Sequence, residues 1–184
     1  MASRILAVAP SRPLLADCST LENWSLAAAQ DAAPAAAASL EVDPTVSVLG
    51  RGALVATVRA GTLSNLTARF PQPKDLSGAT EVSFFYRYVT ELFFIVSPRI
   101  RTVGIVLHAG TAGKMDYLPE YPSSGMPSED RYDWVYMRAP LAAFHAVGNP
   151  SLSSITAVEI LFGPSLPADC IFRIDALSFG KGDA

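Results

Sequence analysis

Residues 155–162 read Ile155-Thr-Ala-Val-Glu-Ile-Leu-Phe162, and residues 170–179 read Cys170-Ile-Phe-Arg-Ile-Asp-Ala-Leu-Ser-Phe179. Both stretches are rich in β-branched and aromatic residues, and Gly163, Pro164 and Pro167 separate them. Short apolar runs with glycine and proline at their boundaries are typical of buried β-strands. The closing part of the chain therefore predicts two strands of an all-β domain.

The same pattern repeats upstream of this closing pair. Further strands are predicted at Leu40–Val48, Ala53–Arg59, Leu66–Phe70, Glu81–Tyr88, Leu92–Val96, Arg101–His108 and Trp134–Arg138. Gly50 and Gly52 predict a hairpin turn between the first two of them. Turn residues recur at fairly even spacing, and strands do not alternate with helices. This spacing predicts an antiparallel two-sheet β-sandwich.

Three segments are expected to depart from the strand pattern. The alanine-rich Trp24–Ala38 is a candidate for a turn or two of helix, which Pro34 interrupts. Ala139–Ala146 permits a short helix with Pro140 in its first turn. Thr111–Asp133 is expected to be a long irregular loop, and such a loop inside a compact domain is more often functional than decorative.

Composition fits one folded domain. The chain has 184 residues, of which 50% are hydrophobic and 17% charged, and this excludes general disorder. The net charge of −3 offers no basic surface for a nucleic acid. The longest apolar stretch, Leu92–Val96, is far shorter than the ~20 residues of a membrane helix. We expect an extended N-terminal arm at 1–13 that is not a signal peptide, a sandwich at 14–180 and a tail at 181–184.

Short motifs follow one another in a recognisable order. They are the acidic residues before Trp24 in Leu14–Trp24, the Gly-x-Gly turn and strand of Gly50–Val58, the loop Asp75–Gly78, the element Pro140–Phe144 and the closing strand Ile171–Phe179. This order resembles the galactose-binding-like jelly-roll domains, which include many carbohydrate-binding modules. The resemblance covers about residues 14 to 180. It implies a jelly-roll β-sandwich whose opening and closing strands are neighbours.

In many members of that family a structural calcium ion lies where the first and last strands meet. The matching positions are Asp17 or Glu22 on the opening segment and Asp175 on the closing strand. The family's acidic residue is often a Glu beside an aromatic residue, whereas Asp17 precedes Cys18 here. The alternative is that these carboxylates are solvated or hydrogen-bonded. No other cofactor is expected.

The same strand pairing would bring Cys18 and Cys170 towards each other. A disulfide needs Cα atoms roughly 4.4–6.8 Å apart, and thiols stay reduced in a cytosolic environment. A disulfide and two free thiols are both open. We expect two buried free thiols, because no secretion signal is recognised.

Aromatic and acidic residues gather in and around the long loop. The candidate ligand-binding residues are Tyr117, Tyr121, Tyr132, Trp134 and Asp116. Exposed rings with planar polar groups suit a carbohydrate, since sugar C–H faces stack on rings, and they also suit a protein interface. The alternative is that Trp134 and Tyr136 belong to the core and that the Tyr-Pro pairs stiffen the loop.

Catalytic motifs are absent from the sequence. There is no Gly-x-Ser-x-Gly elbow and no glycine-rich phosphate loop before a helix. We therefore expect a protein that is not an enzyme. A hydrolase or lyase built on a jelly roll stays open, and it would need two carboxylates about 5–9.5 Å apart in one groove.

Two non-catalytic functions are compatible with these observations. The first is a structural or binding domain of a phage-type virion (tail, baseplate or head decoration), with other protein subunits as partners and assembly in the host cytoplasm. The apolar arm and the high apolar content favour it, because burial in an oligomer would cover apolar surface. The second is a carbohydrate-binding module of a cell-surface or secreted polysaccharide-acting enzyme, with glycans as partners. Neither function requires nucleic acid or a membrane.

Overall fold

The structure is a computed structural model that describes residues 13–28, 39–58, 64–90, 103–117, 134–162 and 170–180. Within these ranges the chain forms eleven β-strands and three short 3-10 turns, and no α-helix. The strands are β1 Trp24–Ala28, β2 Ser39–Asp43, β3 Ala53–Val58, β4 Ser64–Lys74, β5 Glu81–Thr90, β6 Val103–His108, β7 Gly113–Tyr117, β8 Val135–Pro140, β9 His145–Gly148, β10 Ile155–Phe162 and β11 Cys170–Gly180. The turns are Gly110–Ala112, Leu141–Ala143 and Leu152–Ser154.

The strands form two antiparallel sheets. A six-stranded sheet has the order β1-β4-β10-β6-β7-β9, and a five-stranded sheet has the order β2-β3-β11-β5-β8. The two closing strands are interior strands of different sheets: β10 pairs with β4 and β6, and β11 pairs with β3 and β5. The antiparallel two-sheet β-sandwich predicted from the sequence is confirmed.

The core fills the space between the sheets. Alternate residues of each strand face inward, because side chains alternate between the two faces of a sheet. Phe84 and Phe172 from the five-stranded sheet and Phe162 from the six-stranded sheet are fully buried. The rings of Phe162 and Phe172 stack across the core with centroids 4.3 Å apart. The apolar residues of the two closing strands thus join the sheets.

The predicted hairpin at the two glycines is also present. β2 pairs with β3, and Asp43 is the register partner of Ala53. The connection between them contains Gly50 and Gly52, whose φ angles are 74° and 109°. Positive φ is a conformation that glycine adopts at little cost, which explains why glycines stand here. β2 ends at Asp43 and not at the expected Val48.

The expected helix within Trp24–Ala38 is wrong for its first turn. Trp24–Ala28 forms strand β1, which pairs with β4 from Trp24↔Ala68 to Ala28↔Ser64. Alanine has a high intrinsic helix propensity, but Trp24 is buried against the core and Leu26 packs on it. Burial of alternate side chains therefore overrides local propensity. Residues 29–38 lie outside the described residues.

Two other expected elements are wrong for a different reason. Ala139–Ala146 forms only the 3-10 turn Leu141–Ala143 before β9 begins, and the first part of the expected long loop is strand β7. β7 and β9 meet at Gly113↔Gly148. A side chain at Gly113 would collide with the backbone at Val147. Gly113 therefore marks a close backbone approach inside a strand pair, whereas the sequence pattern placed it in an irregular loop.

β4 continues beyond Phe70, the residue at which the sequence pattern predicted its end. Pro71 and Pro73 lie inside Ser64–Lys74. The register with β10 shifts between Ile155 and Ala157, opposite this part of β4. A bulge is where a strand tolerates proline, because proline has no N–H to donate to the ladder. The irregular pairing therefore accommodates the two prolines.

Candidate functional site

Each sheet has an outer face that points away from the core, and the two faces carry different side chains. The outer face of the five-stranded sheet, which we call the five-stranded face, includes Asp43, Phe85, Arg87, Tyr136, Arg138 and Arg173. The outer face of the six-stranded sheet, which we call the six-stranded face, includes His108, Lys114, Asp116, His145 and Glu159. Both sets lie on strands, so their relative positions follow from the register.

An aromatic pair is the main feature of the five-stranded face. Phe85 on β5 and Tyr136 on β8 are register partners, and their ring centroids lie 4.6 Å apart with planes tilted by 31°. Tyr136 is 40% exposed although it is a large aromatic residue, and Phe85 is half-buried. Among the described strands, β8 lies at the edge of the five-stranded sheet. A tilted aromatic pair of this kind offers a rigid apolar surface to a ligand.

Two arginines lie beside the aromatic pair. Arg87 is two positions along β5 from Phe85, and its register partner on β11 is Arg173. Arg173 is 21% exposed and its guanidinium lies 3.6 Å from the carboxylate of Asp43. Like charges directly opposite one another destabilise a sheet. The carboxylate of Asp43 offsets part of that repulsion. Hydrogen bonds from Thr45, and then the charge of Arg173, hold the pKa of Asp43 below its ordinary value.

A third arginine on this face is held in place by a buried carboxylate. Arg138 Nε and Nη2 donate to Glu81 Oε2 at 2.9 and 2.6 Å. Glu81 is only 3% exposed, whereas Arg138 is 42% exposed. Charge-assisted forks of this kind fix a guanidinium more firmly than a single hydrogen bond does. Arg138 lies two positions from Tyr136 on β8, so a ring and an oriented donor group are about 7 Å apart on one face.

The six-stranded face carries histidine–carboxylate pairs. His108 Nε2 lies 2.7 Å from Glu159 Oε2, and His145 Nδ1 lies 3.4 Å from Asp116 Oδ1. The hydrogen bond with His108 is the main reason why the pKa of Glu159 lies below its ordinary value. Among the described residues, this face presents no phenylalanine, tyrosine or tryptophan.

A third region, which we call the seam, joins the opening segment to β11. It comprises residues 14–19, residues 47–52 and residues 175–178. Leu15 donates from its N–H to the Leu177 carbonyl at 2.8 Å, and Leu14 forms an isolated bridge with Ser178. The implied contact between the opening segment and the closing strand is therefore present. It occurs at the end of β11 that follows Asp175.

The seam encloses a cavity of about 10 Å³. Its lining includes Asp17, Ser19, Arg51 and Asp175. Glu22, the third residue of the predicted calcium set, is exposed and does not line it. In the part of the chain that the structure describes, no group of three or more His, Cys, Asp or Glu could hold a metal ion.

The two cysteines are not brought together. Cys18 is a free, buried thiol beside residues 175–177, and burial raises its pKa to about 12. Cys170 is the first residue of β11, where its backbone pairs with Val58 and Thr90. The expected approach of the two residues is wrong, because the opening segment crosses only the far end of β11, about 20 Å along an extended strand from Cys170.

The predicted ligand residues are distributed over different places. Asp116 lies on the six-stranded face, while Tyr117 packs against the core and stacks on Phe144 with centroids 5.4 Å apart. Neighbouring residues of a strand point to opposite faces, so Asp116 and Tyr117 cannot share one ligand face. Tyr121 and Tyr132 lie outside the described residues.

Trp134 and Tyr136 flank the start of the edge strand β8. Trp134 is half-buried and directly precedes β8. Tyr136, which the sequence pattern offered as a core residue, is exposed on the five-stranded face. The signal that was missed is the alternation of side chains along β8. Met137 and Ala139 face the core, so Tyr136 must point to the opposite face.

Comparison with solved structures gives the same architecture. A family 11 carbohydrate-binding module of a cellulosomal cellulase of Clostridium thermocellum superposes with a TM-score of 0.61 at 13% sequence identity, covering 95% of this chain and 98% of that one. The same Clostridium thermocellum family in complex with a β-1,3-1,4-mixed-linked tetrasaccharide gives a TM-score of 0.61 at 13% identity, with 92% and 95% covered. A family 30 module of another Clostridium thermocellum cellulosomal cellulase gives 0.55 at 14% identity, with 79% and 84% covered.

These likenesses show that the chain has the β-sandwich fold of carbohydrate-binding modules. No protein-family model matches the chain, and no curated protein matches it. The described residues also contain no helix that is long and apolar enough to cross a membrane.

Proposed function

We propose that the protein is a non-catalytic carbohydrate-binding domain that holds a glycan on its five-stranded face. The observation that supports this most directly is the exposed Tyr136, paired with Phe85 and followed on its strand by Arg138. An exposed, rigid ring beside oriented planar polar groups suits a sugar. The ring takes the C–H face, and the polar groups take the hydroxyl groups.

The polar groups of the five-stranded face are oriented before a ligand arrives. Glu81 fixes Arg138 through two hydrogen bonds, and Asp43 lies beside Arg173. Arg173 has N–H groups beyond the one that faces Asp43, because a guanidinium carries five of them. Sugar hydroxyl oxygens can accept from them. Side chains already held in one rotamer lose less entropy on binding.

Trp134 extends the proposed surface. It lies two positions before Tyr136 and is half-buried. Residues two apart on an extended chain point to the same side. Trp134 and Tyr136 would therefore present two rings about 7 Å apart along the edge of the sheet. This is the part of the predicted ligand set that we retain.

The protein is proposed to bind without cleaving. Two of the carboxylates on or next to the five-stranded face serve as hydrogen-bond acceptors: Glu81 for Arg138 and Asp175 for backbone N–H groups. Asp43 has a lowered pKa, whereas the general acid of a glycosidase needs a raised one. Asp43 is therefore not suited to protonate a leaving group, and Glu81 and Asp175 are already engaged as acceptors.

The ligand class for a first test comes from the structural neighbours. One neighbour is described in complex with a β-1,3-1,4-mixed-linked tetrasaccharide, and we propose a β-glucan of this kind as the probe. Isothermal titration of the full chain with this tetrasaccharide should give saturable binding. Tyr136→Ala should weaken binding about 10- to 100-fold, the effect of losing one well-packed ring, and Tyr136→Phe should retain most of it.

Val147→Ala is the matched control for Tyr136→Ala. Val147 is 44% exposed, close to the 40% of Tyr136, and it lies on β9, the edge strand of the other sheet. This variant should bind as the unmodified chain does. Equal losses in both variants, or no binding by the unmodified chain to this or any other β-glucan, would contradict the proposal.

The phage-type virion component stays a prediction from the sequence. Its subunit partners and its location in a virion are likewise predictions. A glycan-binding domain is compatible with such a particle, and the distribution of the chain between particle and supernatant on a density gradient would test it.

A further inference from the structure

We propose that Asp175 forms a metal-free carboxylate lock that holds the seam together in place of the calcium ion that the family resemblance implies. The proposal concerns the stability of the fold and does not depend on glycan binding.

Asp175 is only 3% exposed, and both of its carboxylate oxygens accept backbone hydrogen bonds. Oδ2 accepts from the N–H groups of Val48 at 2.6 Å and Leu49 at 3.1 Å. Oδ1 accepts from the N–H of Ala176 at 2.6 Å. Burying a carboxylate is costly unless its oxygens are hydrogen-bonded, and three N–H donors satisfy the oxygens of Asp175 without a metal ion.

The backbone around Asp175 is shaped for these contacts. The pairing of β11 with β5 shifts register between Asp175 and Ser178, and Ala176 has a φ angle of 55°. Positive φ at a non-glycine residue is unfavourable and persists only where surrounding contacts hold it. Here the irregularity turns the N–H of Ala176 towards Oδ1, and the Leu177 carbonyl accepts from Leu15. The lock thus ties the 47–52 connection to β11, directly beside the attachment of the opening segment.

The same contacts do not suit calcium. Calcium needs about 6–8 oxygen ligands, but N–H groups already point at both oxygens of Asp175. Asp17 Oδ1 accepts from the N–H and the hydroxyl of Ser19 at 2.8 and 2.7 Å. Ser19, and more weakly the charge of Arg51, hold the pKa of Asp17 below its ordinary value.

The cavity itself also disfavours the ion. Arg51 lines it, so a positive charge is already present where a divalent cation would enter. Its volume of about 10 Å³ is close to the minimum for a single water molecule. Glu22 contributes nothing to the lining. The residues present therefore do not fit the implied calcium ion, and the lock replaces it.

The test is thermal unfolding of the full chain, dialysed against EDTA and then melted with and without millimolar calcium chloride. The lock predicts the same Tm in both conditions. A calcium site with a Kd of about 10 μM or below, which ~1 mM calcium saturates at least a hundredfold, would instead raise Tm by roughly 5–10 °C. A rise of that size which disappears in Asp175→Asn would overturn the proposal.

Substitutions at the seam test the lock directly, apart from the response to calcium. Asp175→Asn should lower Tm by roughly 5–10 °C with or without calcium, because an amide cannot accept all three N–H groups. The matched controls Asp17→Asn and Glu22→Gln should melt within about 2 °C of the unmodified chain. If Asp175→Asn does not fold, the calcium titration of the unmodified chain decides the question alone. An Asp175→Asn protein as stable as the unmodified chain would overturn the lock.

Discussion

The two outer faces of the sandwich differ in what their edge strands expose. On the five-stranded face, edge strand β8 presents Tyr136 and an arginine anchored by buried Glu81. On the six-stranded face, edge strand β9 presents His145 and Val147, both exposed. Both edges are accessible and both faces are charged. Among the residues that the structure describes, the five-stranded face alone combines an exposed ring with donor groups that are already oriented.

An exposed side chain is therefore not by itself suited to hold a ligand. Asp116, the partner of His145, is 23% exposed and lies 3.4 Å from it. Glu81, the partner of Arg138, is only 3% exposed and lies 2.6 Å from it. A solvent-exposed contact such as that of His145 contributes little to stability. A pair with one buried member is costly to break and keeps its geometry. This contrast favours the five-stranded face for the proposed glycan.

The largest expected effect comes from breaking the Arg138–Glu81 pair. Arg138→Ala should lower the free energy of unfolding by about 2–4 kcal/mol, because it leaves a charge on buried Glu81 without this partner. His145→Ala on the six-stranded face should change it by less than about 0.5 kcal/mol. Urea unfolding followed by tryptophan fluorescence measures both. Similar losses in the two variants would remove the distinction between the faces.

A smaller effect is expected from Arg173. Arg173→Ala should weaken binding of the mixed-linked tetrasaccharide about tenfold, because one charge-assisted donor group is lost. Lys114→Ala removes a cation from the six-stranded face and should leave the Kd unchanged. Titration calorimetry of the two variants compares them directly. Weaker binding by Lys114→Ala with unchanged binding by Arg173→Ala would place the ligand on the six-stranded face and contradict the proposal.

The smallest expected effect concerns pH and the six-stranded face. The pKa of Glu159 is lowered in the folded chain from an ordinary value of 4.5, mainly by the hydrogen bond with His108. The contribution of Glu159 to the free energy of unfolding is therefore present above about pH 4.5, and it is lost as pH falls through the lower pKa of the folded chain. Glu159→Gln should remove about 0.5–1 kcal/mol of stability at neutral pH and less at pH 3. A loss that is equal at both pH values would contradict the assigned cause.

Much of the fold could be predicted from the sequence because burial leaves a period-two pattern. Ile160 and Phe162 on β10, and Phe172 and Ile174 on β11, alternate as core residues must. The glycines at 50 and 52 marked their turn for a steric reason. β1 and β7 could not be predicted, because their strand state depends on long-range partners: β1 on β4, and Gly113 on Gly148.

The site was less predictable than the fold. The direction in which Tyr136 points depends on which residues of β8 face the core, and the same alternation turns Tyr117 inward on β7. The role of Asp175 depends on Val48, which is 127 positions away in the sequence. The sequence placed Asp175 on the closing strand, but its backbone hydrogen-bond partners could be identified only in the folded chain.

The central claim is that a glycan occupies the five-stranded face, and NMR mapping tests it most directly. Titration of the ¹⁵N-labelled chain with the mixed-linked tetrasaccharide should shift the amide signals of Phe85, Tyr136 and Arg173. The signals of His108, His145 and Glu159 should stay in place. Shifts confined to the six-stranded face, or no shifts at a saturating concentration of the sugar, would contradict the account.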